Sequence, residues 1–223
     1  ATFSPRNMDT LDKIFHNGVS ITEIEDPNKS MFDRDYSGST KELSPREEYD
    51  RAKFGYKIVI DQGCLLSCTF CKIKDATGRL QSVPLDAIVS QFRQAVGQEE
   101  STIMLMGSDT GAYGYDIRTR FHNLLETLLA TPGNYKVFIH DFNVNWLIRD
   151  EPGYTRAFST DSESKHLRGI NFPVQSGSDR ILKLMKRPHK AADAISSLRK
   201  IKQEHPHITV GTHLIVGFPG ESE

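Results

Sequence analysis

Gly63-Cys-Leu-Leu-Ser-Cys-Thr-Phe-Cys71 contains all three cysteines of the chain, Cys64, Cys68 and Cys71, spaced as Cys-x3-Cys-x-Phe-Cys. Thiolates are the usual ligands of 4Fe-4S clusters, which ordinarily take four of them. Three thiolates with no fourth leave one iron open, so the spacing points to a three-thiolate iron-sulfur site with a free coordination position. Blander readings fit less well. A structural zinc site needs four ligands, usually as two pairs, and no second Cys or His pair lies nearby. A disulfide joins only two of the three, and the opening residues do not read as a signal peptide, so a reducing, cytoplasmic setting is expected. Buried cysteines also serve as small hydrophobes, but three scattered at random seldom fall into this pattern.

Composition sets the outer limits. The 223 residues suffice for one domain with a full core, and 37% hydrophobic with 26% charged is ordinary for a soluble protein. No apolar run approaches the roughly 20 residues needed to span a bilayer, so no membrane association is expected. A formal net charge of -1 argues against a chain-wide basic footprint while leaving a nucleic-acid partner open. The short basic stretches at 183–190 and 199–202 are explained at least as well by solvated helix faces as by a binding surface.

Away from the cysteines, strands alternate with amphipathic helices, the pattern of a parallel sheet. A strand at 56–60 leads into the cysteine loop. A helix over 84–96 follows, with Leu85, Ile88, Val89, Phe92 and Val96 on one face and Ser82 and Pro84 marking its start. A second strand, 102–106, precedes a helix over 117–130 that Pro132-Gly133 stops. The apolar run at 135–140 suits a strand buried on both faces. After a polar stretch over 150–166 come a fourth strand near 169–174, helices over 178–185 and 191–203, and a fifth strand at 208–216. The expected fold is therefore α/β, a partial TIM-like (β/α)6 barrel with ligands at the C-terminal ends of its strands.

Two segments are expected. Residues 1–51 are polar, weakly periodic and free of cysteine, and read as an irregular N-terminal extension; residues 52–223 form the core. Past the fifth strand no helix covers it and no sixth strand pairs with it. An uncovered apolar edge strand is an aggregation hazard, so the core is expected to be incomplete at its C-terminus and part of a longer protein.

The cysteine loop resembles the signature of the radical S-adenosylmethionine (SAM) enzymes, and other segments narrow the likeness. Phe172-Pro-Val-Gln-Ser-Gly-Ser-Asp-Arg-Ile-Leu-Lys-Leu-Met-Lys-Arg187 and Leu214-Ile-Val-Gly-Phe-Pro-Gly-Glu221 are similar to motifs of the radical SAM methylthiotransferases. Asp109-Thr-Gly-Ala-Tyr-Gly-Tyr-Asp116, together with Cys71-Lys-Ile-Lys, is most similar to the branch that modifies threonylcarbamoyladenosine in tRNA. The likeness runs from about residue 57 to 221. It implies a radical SAM core whose open iron is chelated by the amino and carboxylate groups of SAM. Reductive cleavage of SAM then releases a 5'-deoxyadenosyl radical. The partners it implies are SAM, a tRNA substrate and an electron donor of the flavodoxin or ferredoxin kind.

The resemblance also assigns roles. Cys64, Cys68 and Cys71 would ligate the cluster, and Phe70 would lie beside the adenine. Gly107, Ser108 and Asp109 end the second strand, where the family holds the SAM amino group and a carboxylate suits an ammonium; the alternative is a Gly-containing turn with an Asp cap. Gln175 and Ser176 end the fourth strand, placed for ribose hydroxyls or the methionine carboxylate, and Ser176 or Ser178 can equally cap the next helix. Arg187 would pair a carboxylate in bidentate fashion or serve as a cation at a helix C-terminus. Ile215 and Val216 would offer backbone and apolar contact to adenine, or simply be core. His140, Asp141 and Asn143 end the third strand facing the same cavity, without an assigned role.

Three departures from the family stand out. Methylthiotransferases carry three further N-terminal cysteines for a second cluster, and the first 63 residues here have none. They also carry a C-terminal RNA-binding barrel that does not follow here. Where the family has Arg-Gly after the cysteine motif, Thr77-Gly78 stands in register, with Arg79 one place late. Three functions therefore compete: a methylthiotransferase acting on tRNA adenosine, a single-cluster radical SAM enzyme acting on a peptide or small molecule, and a non-catalytic iron-sulfur redox module.

Overall fold

A computed structural model of the chain describes residues 45–52, 55–97 and 102–221. Contacts divide the chain into Ala1–Leu43 and Ser44–Glu223, and every described residue belongs to the second unit. Its core is a five-stranded sheet of β1 (Tyr56–Val59), β4 (Thr102–Met106), β5 (Lys136–Ile139), β6 (Leu167–Asn171) and β7 (Thr209–Gly211), in that spatial order and parallel throughout. Helices connect the strands, as parallel pairing demands: α3 (Leu85–Gly97), α4 (Phe121–Leu129), α5 (Val144–Arg149), α6 (Glu151–Thr160), α7 (Asp179–Leu184) and α8 (Ala191–Glu204). This is the expected α/β, partial-barrel architecture.

Alternation along the strands sorts the core into two sides. Ile103, Leu105, Val137 and Ile139 join the large cluster under the covering helices, with Ile88, Phe92, Phe121 and Leu125 packed into it. Met104 and Phe138 face the other way and meet Tyr49 and Ala52 of helix α1 (Pro45–Ala52). The Tyr49 and Phe138 rings meet edge-on at 5.8 Å. Gly169 makes the room: a Cβ there would lie 2.9 Å from Phe138 and 3.0 Å from Tyr49. Glu48 anchors the same helix to the strands, reaching Lys136 at 2.6 Å and Arg168 at 3.4 Å. So the described part of the expected irregular extension, residues 45–51, is helical; the rest of that expectation lies outside the described residues.

Several expected elements are corrected. The polar stretch 150–166 is largely helical, because Pro152 sits in the first turn of α6, where it lacks no needed donor. Gly153 beside it is a packing glycine: a Cβ would lie 2.5 Å from the His122 ring. The helix expected over 117–130 begins only at Phe121, since a 3-10 turn (Thr110–Ala112) and a loop with Gly114 at φ 88° fill the preceding residues.

The fifth strand does not run through 208–216. β6 ends before Pro173, which has no N–H to give, and Gln175 takes φ 76°, so the ladder breaks after Gly211. It resumes as an isolated bridge between Gln175 and Leu214. A small antiparallel ribbon, β2 (Asp61–Gln62) with β3 (Gln81–Ser82), closes the base of the cysteine loop, which also carries the short helix α2 (Ile73–Thr77). No described helix is long and apolar enough to cross a membrane.

Candidate active site

The C-terminal ends of β1, β4, β5 and β6 converge on a cavity of about 180 Å³. One wall is the cysteine loop, with Cys64, Cys68, Cys71, Leu66, Phe70 and Ile73. The opposite wall is Ser108 and Asp109 after β4, and Asp141 and Asn143 after β5. Pro173, Gln175 and Arg187 complete it from the β6 side, with His213 next to them. The cavity thus brings together eight of the expected site residues: the three cysteines, Phe70, Ser108, Asp109, Gln175 and Arg187.

Each cysteine sulfur has one donor. Leu66 N–H donates to Cys64 Sγ at 3.3 Å, Ile73 N–H to Cys71 Sγ at 3.5 Å, and Arg187 Nη1 to Cys68 Sγ at 3.7 Å. Lys74 ties the loop shut across Leu65 O at 3.1 Å and Ser67 Oγ at 3.3 Å. All three cysteines are free. Among the described residues no three His, Cys, Asp or Glu side chains converge tightly enough for a single metal ion. Three donor-supported sulfurs on one cavity wall are the ligand number of an iron-sulfur cluster with an open iron, one short of the four a structural zinc site takes. Burial, then the charge of Asp109, pushes the Cys64 thiol up to about 11, so metal loading displaces a proton.

A residue that the sequence did not single out organises the opposite wall. Asp61, buried at the start of β2, accepts the Ser108 N–H at 2.9 Å and the Asp109 N–H at 3.4 Å through Oδ1. Gly107 permits this approach, because a Cβ there would lie 2.2 Å from Asp61 Oδ2. Gly63 N–H in turn donates to Ser108 Oγ at 3.1 Å, linking the cysteine loop to the β4 end. The Asp109 carboxylate accepts the Trp146 indole N–H at 2.8 Å and the Asn143 N–H at 3.4 Å. Burial pushes Asp109 up to about 7 against the opposing indole hydrogen bond, and burial pushes Asp61 up to about 6. Asp109, which lines the cavity and whose charged form burial disfavours, gains from a cationic ligand there.

On the third wall, Arg187 Nη2 donates to Asn143 Oδ1 at 3.0 Å and Pro173 O at 2.6 Å. Arg187 Nε and Asn143 Nδ2 remain buried donors without a hydrogen-bond partner. Both residues line the cavity, and a guanidinium there suits an anionic group such as a carboxylate. A zwitterionic ligand with ammonium toward Asp109 and carboxylate toward Arg187 and Asn143 matches both walls. Asn143 also caps α5 by accepting the Asn145 N–H at 3.2 Å, so ligand contacts and helix start share one side chain.

The remaining expected residues are placed differently. Ser176 is buried, and its hydroxyl accepts the Ser178 N–H at 3.2 Å, a turn role, while Ser178 stands at the N-cap of α7 without a side-chain cap bond. Ile215 contributes its backbone, donating N–H to Gln175 O at 2.9 Å. Val216 is 86% exposed and does not line the cavity, so it is not core in this structure.

Comparison with known proteins agrees with this geometry. A probable threonylcarbamoyladenosine tRNA methylthiotransferase from Methanothermobacter thermautotrophicus is 34% identical over 164 residues, covering 74% of this chain and 38% of the relative. A ribosomal protein uS12 methylthiotransferase from Chlamydia pneumoniae is 32% identical over 183 residues, covering 80% and 38%. The chain thus spans about two fifths of the length of the curated relatives it matches. Among solved structures, a radical S-adenosylmethionine methyltransferase from Kitasatospora setae with cobalamin and a [4Fe-4S] cluster bound superimposes with a TM-score of 0.60 at 16% identity, over 83% of this chain and 35% of that one, a likeness of fold. Residues 58–223 match the radical SAM superfamily, whose enzymes use a 4Fe-4S cluster and SAM. With that match, and a cavity whose walls fit both groups, the chain belongs to the radical SAM superfamily, and its curated relatives are methylthiotransferases.

Proposed function

We propose that this chain is the radical-generating core of a methylthiotransferase that converts a C–H to a C–SCH3 group on tRNA adenosine. The observation that carries the radical chemistry is the single cavity shared by Cys64, Cys68 and Cys71 on one side and Asp109, Asn143 and Arg187 on the other. When bound, a 4Fe-4S cluster supplies the electron that cleaves SAM into methionine and a 5'-deoxyadenosyl radical, which abstracts hydrogen from substrate.

The chain's own groups account for SAM binding. Asp109, held by Trp146 and by the Asn143 N–H, receives the ammonium. The Arg187 guanidinium, on the wall it shares with Asn143, pairs the carboxylate, and Phe70 borders the adenine. Gln175, held at φ 76° by backbone bonds to both sides of Leu214, offers its side chain to the ribose. Leu66, Phe70 and Ile73 line the cavity with apolar surface. Electrons come from a donor of the flavodoxin or ferredoxin type, and the setting is the cytoplasm.

The tRNA substrate is supported by the similarity of the segment 109–116 to the threonylcarbamoyladenosine branch and by the name of the Methanothermobacter relative. One observation favours a second reading. The chain's three cysteines all lie in one loop, so its first 63 residues offer no thiolates for a sulfur-donating cluster. On that reading the core performs hydrogen abstraction alone, on a peptide or small molecule.

The test is nucleoside mass spectrometry of undermodified tRNA after incubation with the reconstituted, reduced protein and SAM. A methylthiolated adenosine supports the transferase reading. Release of 5'-deoxyadenosine with unaltered tRNA contradicts it and favours the second.

A further inference from the structure

Of the three sulfurs, Cys68 is the one that a side chain serves. Among the described residues, Cys64 and Cys71 take backbone N–H donors from Leu66 and Ile73, whereas Cys68 takes Arg187 Nη1 at 3.7 Å. The backbone fixes this approach. Thr69, next to Cys68, donates its N–H to Met185 O at 3.2 Å and its hydroxyl to Leu184 O at 3.0 Å, which ties the cysteine loop to the end of α7. Lys186 then turns the chain at φ 56°, and the Arg187 N–H donates back to Leu182 O at 2.9 Å. Arg187 thus leaves the joint that holds Cys68.

The far side of the guanidinium is held by two strand ends. Nη2 donates to Pro173 O at 2.6 Å after β6 and to Asn143 Oδ1 at 3.0 Å after β5. These partners are a carbonyl and an amide, so neither cancels its charge. Asp109 lies close enough to feel that charge, but burial raises its carboxyl to about 7 and disfavours the anion. A guanidinium carries five N–H donors, so one that serves three acceptors still has room for a carboxylate. Arg187 and Cys68 line the same cavity, where that carboxylate would sit.

We propose that Arg187 tunes the cluster held by these cysteines and links its potential to the occupancy of the carboxylate site. The inference rests on the radical SAM reading above and adds which side chain couples ligand to cluster. Positive charge and hydrogen bonding at a ligand sulfur favour the more negative, reduced state, so Arg187 at Cys68 raises the potential. A carboxylate paired with the same guanidinium cancels part of its charge, and the reduced state is then favoured less. The cluster becomes the stronger reductant once the carboxylate is seated.

The experiment is redox potentiometry of the reconstituted protein, read by electron paramagnetic resonance, in wild type, Arg187→Lys and Arg187→Gln. Each is measured alone and then saturated with S-adenosylhomocysteine, which keeps the amino acid end and has no sulfonium to cleave. 5'-Methylthioadenosine, which lacks that end, is the control. Without ligand, Arg187→Gln should show a one-electron reduction constant about tenfold below wild type, about 59 mV. Arg187→Lys should fall between, because an ammonium keeps the charge but does not span Cys68, Asn143 and Pro173 together. S-adenosylhomocysteine should lower the wild-type potential more than that of Arg187→Gln and so narrow their gap, and 5'-methylthioadenosine should leave the gap as it was. Equal potentials for ligand-free wild type and Arg187→Gln overturn the proposal. So does an equal drop in both with S-adenosylhomocysteine, and so does a gap that 5'-methylthioadenosine narrows just as far. If Arg187→Gln holds no iron, Arg187→Lys decides, and a ligand-free potential equal to wild type overturns the proposal. Wild-type protein that assembles no reducible cluster sinks the radical SAM reading itself, and the proposal falls with it.

Discussion

Substituting Gly107 with alanine tests how the SAM-facing wall is built. The new Cβ would stand 2.2 Å from Asp61 Oδ2, 2.5 Å from its Cγ and 2.6 Å from Oδ1, distances no real Cβ tolerates. The Asp61 side chain is 2% exposed and short, so it can yield only by leaving its place. It then drops the Ser108 and Asp109 N–H groups it holds at 2.9 and 3.4 Å. Overpacking of this kind costs about 1–3 kcal/mol, and a buried donor left unpaired costs about 1–3 kcal/mol. We expect Gly107→Ala to destabilise by about 3 kcal/mol, a Tm drop of about 6–12 °C for a domain of this size. The origin is separable. Asp61→Ala removes the obstructing carboxylate, so Gly107→Ala in that background should cost less than about 1 kcal/mol, leaving a coupling of about 2 kcal/mol. Thermal and urea unfolding of the four proteins measures it. A Gly107→Ala protein as stable as wild type, or one equally damaged with and without Asp61, refutes the reasoning.

Other expectations follow from single contacts. Trp146 is the sole tryptophan and donates to Asp109 at 2.8 Å, so its fluorescence should change as SAM is titrated in; Trp146→Phe should weaken SAM binding about tenfold, and an unchanged affinity would remove Asp109 from the ammonium site. His189 is buried, and burial, then the Arg187 charge, lowers it to about 4 from an ordinary 6.5. A histidine held neutral binds its proton better unfolded, so its contribution is intact above pH ~6.5 and is lost as pH falls toward ~4, about 2 kcal/mol by pH ~5. His189→Phe should lose less stability than wild type over that range in urea titrations, and parallel pH curves for the two would contradict this. Asp161, 1% exposed, accepts the His166 and Leu167 N–H groups at 2.8 Å each where β6 begins, so Asp161→Ala should cost about 2–5 kcal/mol by urea midpoint, and a loss under 1 kcal/mol would show that water replaces the carboxylate.

Some of this was legible in the residues and some was not. The cysteine spacing, the helical stripe through Ile88 and Phe92, and the strand ends carrying Asp109 and Gln175 can be read directly, because each is a local pattern. Asp61 cannot. A lone acid after an apolar strand looks like any turn residue, and only the folded chain reveals that Gly107 was kept small for it 46 positions later. Trp146 reaches Asp109 across 37 residues, a pairing without a sequence signal. The polar stretch 150–166 holds a helix with Pro152 in its first turn and Gly153 as a packing glycine, and Pro173 with Gln175 cuts a ladder that hydrophobicity alone would have continued to Val216. Misreadings thus came where tertiary contacts overrode local preference.

The measurement closest to the central claim is iron content per chain after anaerobic reconstitution, taken with 5'-deoxyadenosine release from SAM under reduction, in wild type and Cys68→Ala. The account predicts about four irons and steady release for wild type, with release abolished in the variant. Iron-free protein, iron without SAM cleavage, or a Cys68→Ala protein that still makes 5'-deoxyadenosine would contradict it.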